Sequence, residues 1–121
     1  MTEHRTRKRF GQHFLHDRNL VDRMIRTLGL QAGDTLVEIG PGRGALTYPL
    51  LEEIPHLHVV ELDRDLIALL RQENTPDRLS IHESDALRFD FRALKPADKP
   101  LRVIGNLPYN CLLYTSPSPR D

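Results

Sequence analysis

A glycine-rich turn between an apolar run and a helical pattern constrains the fold of this chain most. Residues 35–39 form a short apolar run of the kind found in buried parallel strands, and Gly40-Pro41-Gly42-Arg43-Gly44 follows it. Apolar residues then recur at helical spacing at Leu46, Leu50, Leu51 and Ile54. Glycines here let the backbone approach a ligand closely, so the pattern predicts a nucleotide-like cofactor. Because Gly40-x-Gly42-x-x-Ala45 also fits the dinucleotide fingerprint, the motif leaves NAD and S-adenosylmethionine both open.

The rest of the chain alternates helical and strand patterns. A helix is predicted over 17–28, with Asp17 as its N-cap and Gly29 at its end. Strands are predicted at 57–62, 79–82 and 101–105, with a helix capped by Asp63 after the first of them. The sequence pattern leaves the secondary structure of residues 86–94 ambiguous, and it is compatible with one or two irregular helical turns. This order predicts an α/β fold with an open parallel sheet of the Rossmann type, which binds ligands at the carboxyl ends of its strands.

Two carboxylates follow predicted strands and suit an adenosine moiety. Glu61 ends the second strand, 21 residues after Gly40, where a carboxylate accepts hydrogen bonds from both ribose hydroxyls. Asp63 is assigned to helix capping instead. Asp85 follows the third strand and either accepts from the exocyclic amine of adenine or caps the next helical turn.

The segment Asn106-Leu107-Pro108-Tyr109 directly follows the fourth predicted strand. An adenine amine is a poor nucleophile because its lone pair is delocalised into the ring, so an enzyme that methylates it needs acceptors for both N–H bonds. The Asn106 amide oxygen and the Leu107 carbonyl suit that role. Pro108 fixes the backbone, and Tyr109 offers a flat face for an extruded base. Catalysis of this kind is mainly positioning and electrostatics and requires no metal.

Charge and composition narrow the class of protein. Residues 1–26 hold seven Lys/Arg against three Asp/Glu, although the formal net charge is zero, and such a basic arm suits RNA. No apolar stretch approaches the ~18 residues of a membrane span, and no secretory signal follows Met1. The single Cys111 excludes a disulfide framework, and the six His show no zinc spacing. We expect a soluble cytoplasmic protein without a metal site, in which His58 and His82 pack rather than ligate.

Three regions are predicted along the chain: a basic N-terminal arm at 1–16, a partial cofactor-binding domain at 17–110 and an irregular tail at 111–121. The tail contains two Ser-Pro steps, which interrupt both helix and sheet. We expect it to be foreign to the natural fold. The fourth strand would then be an unprotected edge, which favours aggregation.

Taken in order, these motifs resemble those of the ribosomal RNA adenine dimethyltransferase family, the kasugamycin-sensitivity enzymes. The resemblance covers roughly residues 5–110. It rests on the segments 7–15, 37–42, 60–65, 84–86 and 105–110. It implies a class I S-adenosylmethionine-dependent methyltransferase fold, truncated after its fourth strand.

The same resemblance implies a reaction and a set of contacts. The reaction is dimethylation of two adjacent adenines in 16S rRNA of the immature small ribosomal subunit. Tyr109 would lie beside the target base. The implied cofactor contacts are His13, Leu15, Gly40, Glu61, Asp85 and Asn106. Because family members continue well past Asn110, we expect this chain to be inactive alone.

Three other functions stay open on the sequence. A DNA adenine methyltransferase would use the same Asn106 segment, since that segment suits any adenine amine. A non-catalytic RNA-binding module of the same fold would keep the basic arm and lack turnover. An NAD-dependent oxidoreductase fits the glycine pattern but leaves the Asn106 segment unexplained.

Overall fold

A computed structural model describes residues 17–106 and 111–115 of the chain. Its elements are α1 (Arg18–Leu28), β1 (Leu36–Ile39), α2 (Thr47–Glu53), β2 (Leu57–Glu61), α3 (Arg64–Glu73), β3 (Leu79–Glu83), a 3-10 helix (Phe91–Leu94), β4 (Arg102–Asn106) and β5 (Cys111–Thr115). The predicted α/β fold is confirmed, and every predicted helix and strand is present within one or two residues of its expected bounds.

Helix α1 begins and ends at the residues that its sequence predicts. The Asp17 carboxylate accepts hydrogen bonds from the backbone N–H groups of Asn19 and Leu20, at 3.0 and 3.3 Å. Gly29 closes the helix in the left-handed conformation, with φ of 60°. These caps satisfy backbone groups that a bare helix end leaves unpaired. The buried face consists of Val21, Ile25 and Leu28.

The strands lie in the order β3-β2-β1-β4-β5, and the first four are parallel. Ile39, the last residue of β1, is in register with Val60 on β2 and with Gly105 on β4. The carboxyl ends of the parallel strands therefore meet at one edge of the sheet. In open α/β sheets this is the edge that binds ligands.

The three α-helices of the described residues pack on one face of the sheet. Val21, Leu50 and Leu70, one from each helix, belong to the same buried cluster. Burying a large aliphatic side chain contributes roughly 1.5–3 kcal/mol, so this cluster supplies most of the hydrophobic stabilisation of the described residues. The strands contribute Leu36, Leu57, Val59, Leu79 and Ile104.

The opposite face is covered more thinly. Val37, Val60 and Leu101 are buried there, packed by aromatic and aliphatic residues of the connection between β3 and β4. That connection contains the 3-10 helix, whose N-cap Asp90 accepts from the Arg92 backbone N–H at 3.1 Å. The irregular helical turns expected between residues 86 and 94 are confirmed.

Strand β5 corrects the prediction that the chain is irregular from Cys111 onward. Residues 111–115 pair antiparallel with β4, so that Cys111 lies opposite Asn106 and Thr115 lies opposite Arg102. Both Ser-Pro steps come after the strand, and proline therefore does not interrupt it. The expectation that β4 is an unprotected edge is likewise wrong, because β5 occupies that side.

Two kinds of feature are absent from residues 17–106 and 111–115. No helix there is both long and apolar enough to cross a membrane. No three side chains among His, Cys, Asp and Glu converge in a way that would hold a metal ion.

Candidate functional site

The glycine turn after β1 leaves open space above its backbone. Gly40 and Gly42 have φ of 67° and 58°, a conformation that favours glycine. A Cβ added at either position would have no heavy atom within 4 Å beyond its chain neighbours. A ligand can therefore approach the backbone directly at these two glycines.

Gly44 has a different role from the two glycines before it. Its φ is 95°, and an added Cβ would overlap the ring of Tyr48, with Cδ2 at 2.7 Å. The Tyr48 hydroxyl donates to Glu73 at 2.5 Å and accepts from the Asn74 side chain at 3.2 Å. The turn is thus held against α2, and α2 against the end of α3. Sequence reasoning missed this contact, since its partners are 25 and 26 residues apart.

Glu61 lies at the carboxyl end of β2 with its side chain fixed by backbone donors. Oε2 accepts from the N–H groups of Leu62 and Asp63 at 2.9 and 3.0 Å, and Oε1 lies 3.5 Å from the Gly42 nitrogen. The carboxylate therefore links β2 to the glycine turn. The long contact to Gly42 leaves Oε1 able to accept a stronger donor from a ligand.

The two other acids of this edge have local hydrogen bonds. Asp63 caps α3, because its Oδ1 accepts from the backbone of Asp65 and Leu66 at 2.9 and 3.2 Å, and the predicted capping role is confirmed. Asp85 Oδ1 accepts from the Leu87 backbone N–H at 3.0 Å. The capping alternative for Asp85 is therefore observed. Its predicted contact with adenine stays a prediction.

Two exposed leucines lie within two residues of Glu61 and Asp85 in the sequence. Leu62, next to Glu61, is 62% exposed, and Leu87, two residues after Asp85, is 94% exposed. Large apolar side chains so open to water often mark binding surfaces. Sequence reasoning missed both, although their position after a strand-end carboxylate was visible.

Glu38 is the buried acid of the site, and sequence reasoning missed its state as well. It lies on β1 and is 1% exposed. Its Oε1 accepts from the Thr47 hydroxyl of α2 at 2.6 Å, while Oε2 has no hydrogen-bond partner within the described residues. Burial, opposed by the Thr47 hydrogen bond and reinforced by the charge of Glu61, raises the pKa of Glu38 to about 7.

The strand register shows which predicted site residues lie near one another. Gly40, Glu61 and Asn106 each come one residue after the aligned positions on β1, β2 and β4. Their backbones are therefore at the same level of three adjacent strands. The remaining predicted contacts lie outside the described residues: His13, Leu15, Leu107, Pro108 and Tyr109.

Three histidines pack across β2 and β3. His58 Nδ1 and His82 Nε2 are 3.1 Å apart, and the two rings stack with centroids separated by 5.3 Å. The nitrogens of His56 contact the Asp77 carbonyl and the Ser80 hydroxyl, each at 2.8 Å. Burial, together with His56 and His82, lowers the pKa of His58 to about 4. The prediction that His58 and His82 pack is confirmed.

The chemistry of this edge fits an adenosine cofactor that carries a positive charge. Gly40 and Gly42 leave room at the backbone, Glu61 presents an anchored carboxylate, and Leu62 offers an apolar surface beside it. Glu38, whose buried Oε2 has no hydrogen-bond partner within the described residues, lies two residues before the turn and adds negative charge there when it is ionised. S-adenosylmethionine has the hydroxyls, the flat base and the cationic sulfur that these groups complement.

Comparisons with known proteins agree with this chemistry. A family model described as ribosomal RNA adenine dimethylase matches residues 3–113. The ribosomal RNA small subunit methyltransferase A of Alcanivorax borkumensis is 94% identical over 110 residues, covering 91% of this chain and 39% of that protein. The protein of the same name from Aromatoleum aromaticum is 59% identical over 110 residues, covering 91% of this chain and 40% of its own length. The chain thus spans about two fifths of the length of these curated relatives.

Solved structures share the fold. The crystal structure of the 23S rRNA methyltransferase ErmE superimposes with a TM-score of 0.59 at 26% identity, covering 74% of this chain and 35% of that one. A dimethyladenosine transferase from Plasmodium falciparum gives a TM-score of 0.56 at 19% identity, covering 72% of this chain and 41% of its own. The second similarity concerns the fold alone.

Proposed function

Because the chain belongs to the ribosomal RNA adenine dimethylase family, we propose that it is the cofactor-binding part of an S-adenosylmethionine-dependent enzyme. The enzyme dimethylates the exocyclic amines of two adjacent adenines in 16S rRNA of the immature small ribosomal subunit. It acts in the cytoplasm, where bacterial subunits assemble, and its chemistry uses no metal. The bacterial relatives and the basic residues 1–26 support this proposal.

The cofactor lies along the carboxyl edge of the sheet. Its ribose hydroxyls donate to Glu61, and its adenine extends toward β3, where Asp85 accepts from the base amine. Leu62 and Leu87, which are both exposed, provide apolar surface on which the base packs. The backbone at Gly40 and Gly42 passes beneath the ribose and the sulfur-bearing end.

The target base is held at the end of β4. The Asn106 amide oxygen and the Leu107 carbonyl accept from the two amine N–H bonds, orienting the nitrogen lone pair toward the methyl group. Tyr109 stacks on the extruded ring. When bound, the cofactor supplies a methyl group on a cationic sulfur, which needs no further activation. The chain's own contribution is alignment and charge complementarity.

One observation carries the proposal most directly. Glu61 is fixed by two backbone N–H groups beside an open glycine turn, at the strand level where the backbone of Asn106 also lies. A carboxylate held in this way is already oriented for two hydroxyl donors. Little side-chain entropy is then lost when a ribose binds.

The test is binding of tritiated S-adenosylmethionine by equilibrium dialysis to the chain and to Glu61→Gln. Charge-assisted hydrogen bonds contribute roughly 1.5–3 kcal/mol each. Because glutamine keeps one acceptor oxygen, we expect Glu61→Gln to lose one such bond and to weaken binding about tenfold to a hundredfold. Glu83→Gln is the matched control, because Glu83 is the register partner of Glu61 on β3 and pairs with Arg64. It should bind as the parent does.

Two results would contradict the assignment. Equal affinity of Glu61→Gln and the parent would show that Glu61 does not bind the ribose hydroxyls. Binding of NAD in place of S-adenosylmethionine would favour an oxidoreductase. In a version extended to the length of the relatives, Asn106→Ala separates an enzyme from a non-catalytic RNA-binding module. We expect lost methylation with retained RNA binding.

A further inference from the structure

The buried carboxylate of Glu38 has no role in the function proposed above. It is 1% exposed and only two residues before Gly40, the first glycine of the turn. One oxygen accepts from Thr47 at 2.6 Å, and the other is without a hydrogen-bond partner among the described residues. A buried, half-satisfied carboxylate is costly when ionised, and a cationic ligand placed near it would offset that cost.

The surroundings of Glu38 contain no compensating cation within the described residues. Its register partners on β2 and β4 are the apolar Val59 and Ile104, and Thr47 faces it from α2. The charged group whose field reaches it is Glu61, which is also negative. When Glu38 is ionised, the region combines two negative charges next to an open turn, and it would then attract a positive group placed above that turn.

The sheet order places the charged end of the proposed cofactor over this region. Adenine lies toward β3 and the ribose at Glu61 on β2. The part of the molecule beyond the ribose then extends over the next strands, β1 and β4. That part contains the cationic sulfur. Glu38 is on β1, two residues before Gly40 of the turn.

We propose that Glu38 is a buried counter-charge that raises the affinity of this site for the cationic S-adenosylmethionine relative to its neutral product, S-adenosylhomocysteine. The inference rests on the proposed function. The two ligands differ by one methyl group and by the positive charge on sulfur. Loss of that charge on methyl transfer removes the attraction to Glu38, so the product is held less tightly than it otherwise would be.

The preference should depend on pH in a defined direction. Below the pKa of Glu38, about 7, the neutral acid does not distinguish the two ligands by charge. Above it, the carboxylate favours the sulfonium. A unit charge about 10 Å away at an effective dielectric constant near 20 shifts such a pKa by about one unit, which corresponds to about a tenfold change in relative affinity.

The experiment measures dissociation constants of both ligands by isothermal titration calorimetry from about pH 5.5 to about pH 8. The quantity compared is the ratio of the two constants. Effects of His58, His82, Asp63 and Asp85 on ligand binding act on both ligands and largely cancel in that ratio. We expect the relative affinity for S-adenosylmethionine to rise about tenfold with pH in the parent chain.

Three variants make the result specific. Glu38→Gln is isosteric and neutral and should give a ratio that does not change with pH. Glu53→Gln removes an exposed acid at the far end of α2 and should keep the full rise. Thr47→Val removes a hydrogen bond that lowers the pKa of Glu38, so the rise should move to higher pH. Thr47→Val tests the inference independently if Glu38→Gln does not fold.

The outcomes separate the two proposals. A pH-independent ratio in the parent, or an undiminished rise in Glu38→Gln, would overturn the role of Glu38 and leave the cofactor assignment standing. Failure of the folded parent chain to bind either ligand would overturn the cofactor assignment, and this inference with it.

Discussion

At the scale of single residues, burial separates acids that look alike in the sequence. Glu38 and Glu61 both lie on strands, yet one is 1% exposed and the other accepts from two backbone N–H groups at the edge of the sheet. The first has its pKa raised to about 7, and the second is held ready for donors from a ligand. Solvation and local hydrogen bonds therefore decide what each carboxylate can do.

Glu38 should make the chain less stable as pH rises. Its pKa is about 7 in the folded chain and 4.5 as an ordinary value, so the folded state holds the proton more tightly. This contribution is fully present below about pH 4.5 and is lost as pH rises through about 7, a decrease of about 3 kcal/mol in the free energy of unfolding. The measurement is urea unfolding of the parent and of Glu38→Gln across this pH range. The difference between their free energies of unfolding gives the contribution of Glu38.

The comparison with a variant is necessary because His58 acts in the opposite direction. Its pKa is lowered to about 4, so its contribution is lost as pH falls from about 6.5 toward 4. Both proteins retain His58, and its effect cancels in the difference. Identical pH profiles for the parent and Glu38→Gln would show that the carboxyl is not desolvated as described.

At the scale of elements, the glycine turn and α2 behave as one unit. Thr47 contacts Glu38 of β1, and Tyr48 contacts Glu73 at the end of α3. The ring of Tyr48 also occupies the space beside Gly44. Helix α2 has only seven residues, too few for intrinsic stability, so these contacts and its buried leucines hold it in place.

Gly44→Ala should therefore destabilise the chain through this unit. Alanine is strained at φ of 95°, and its Cβ would displace the Tyr48 ring. We expect a loss of about 2 kcal/mol or more in the free energy of unfolding, measured by urea titration. Gly33→Ala is the control, because its Cβ meets only the flexible end of Lys99 at 3.0 Å and should change stability little. Equal losses in both variants would mean that the turn tolerates a side chain at position 44.

At the scale of the whole molecule, the two faces of the sheet differ. Three helices cover one face, whereas the other has three buried apolar residues beneath the connection between β3 and β4. The outer strand on the β4 side is β5, whose free edge is open to further pairing among the described residues. The carboxyl edge of the sheet is nonetheless assembled from β1, β2 and β3 with the end of β4.

We expect this chain alone to bind S-adenosylmethionine and to give no measurable methyl transfer to immature small subunits. The edge to which we assign the cofactor lies within the described residues, but the chain spans about two fifths of the length of its curated relatives and has one thinly covered face. The measurement is incorporation of tritium from the labelled cofactor into 16S rRNA. The Alcanivorax borkumensis relative, at its full length, is the positive control. Turnover by the chain at the rate of that relative would contradict the prediction.

The local features of this protein were determined by its sequence. Asp17 and Asp63 identified helix starts, Gly29 identified a helix end, and the apolar runs before Gly40 and Asn106 identified strands. Each signal acts over a few residues, through a cap, a backbone conformation or an apolar repeat, and so it can be recognised without knowing the fold. The order of these elements was enough to predict a parallel sheet and its ligand-binding edge.

Only the tertiary structure decided what depends on distant neighbours. The desolvation of Glu38, the contact between Tyr48 and Glu73, and the pairing of β5 with β4 each join segments that no local pattern links. The pKa of a carboxyl depends on every group that excludes water from it. The stability of a strand likewise depends on the partner that accepts its hydrogen bonds. These are properties of packing, and they exist only once the chain has folded.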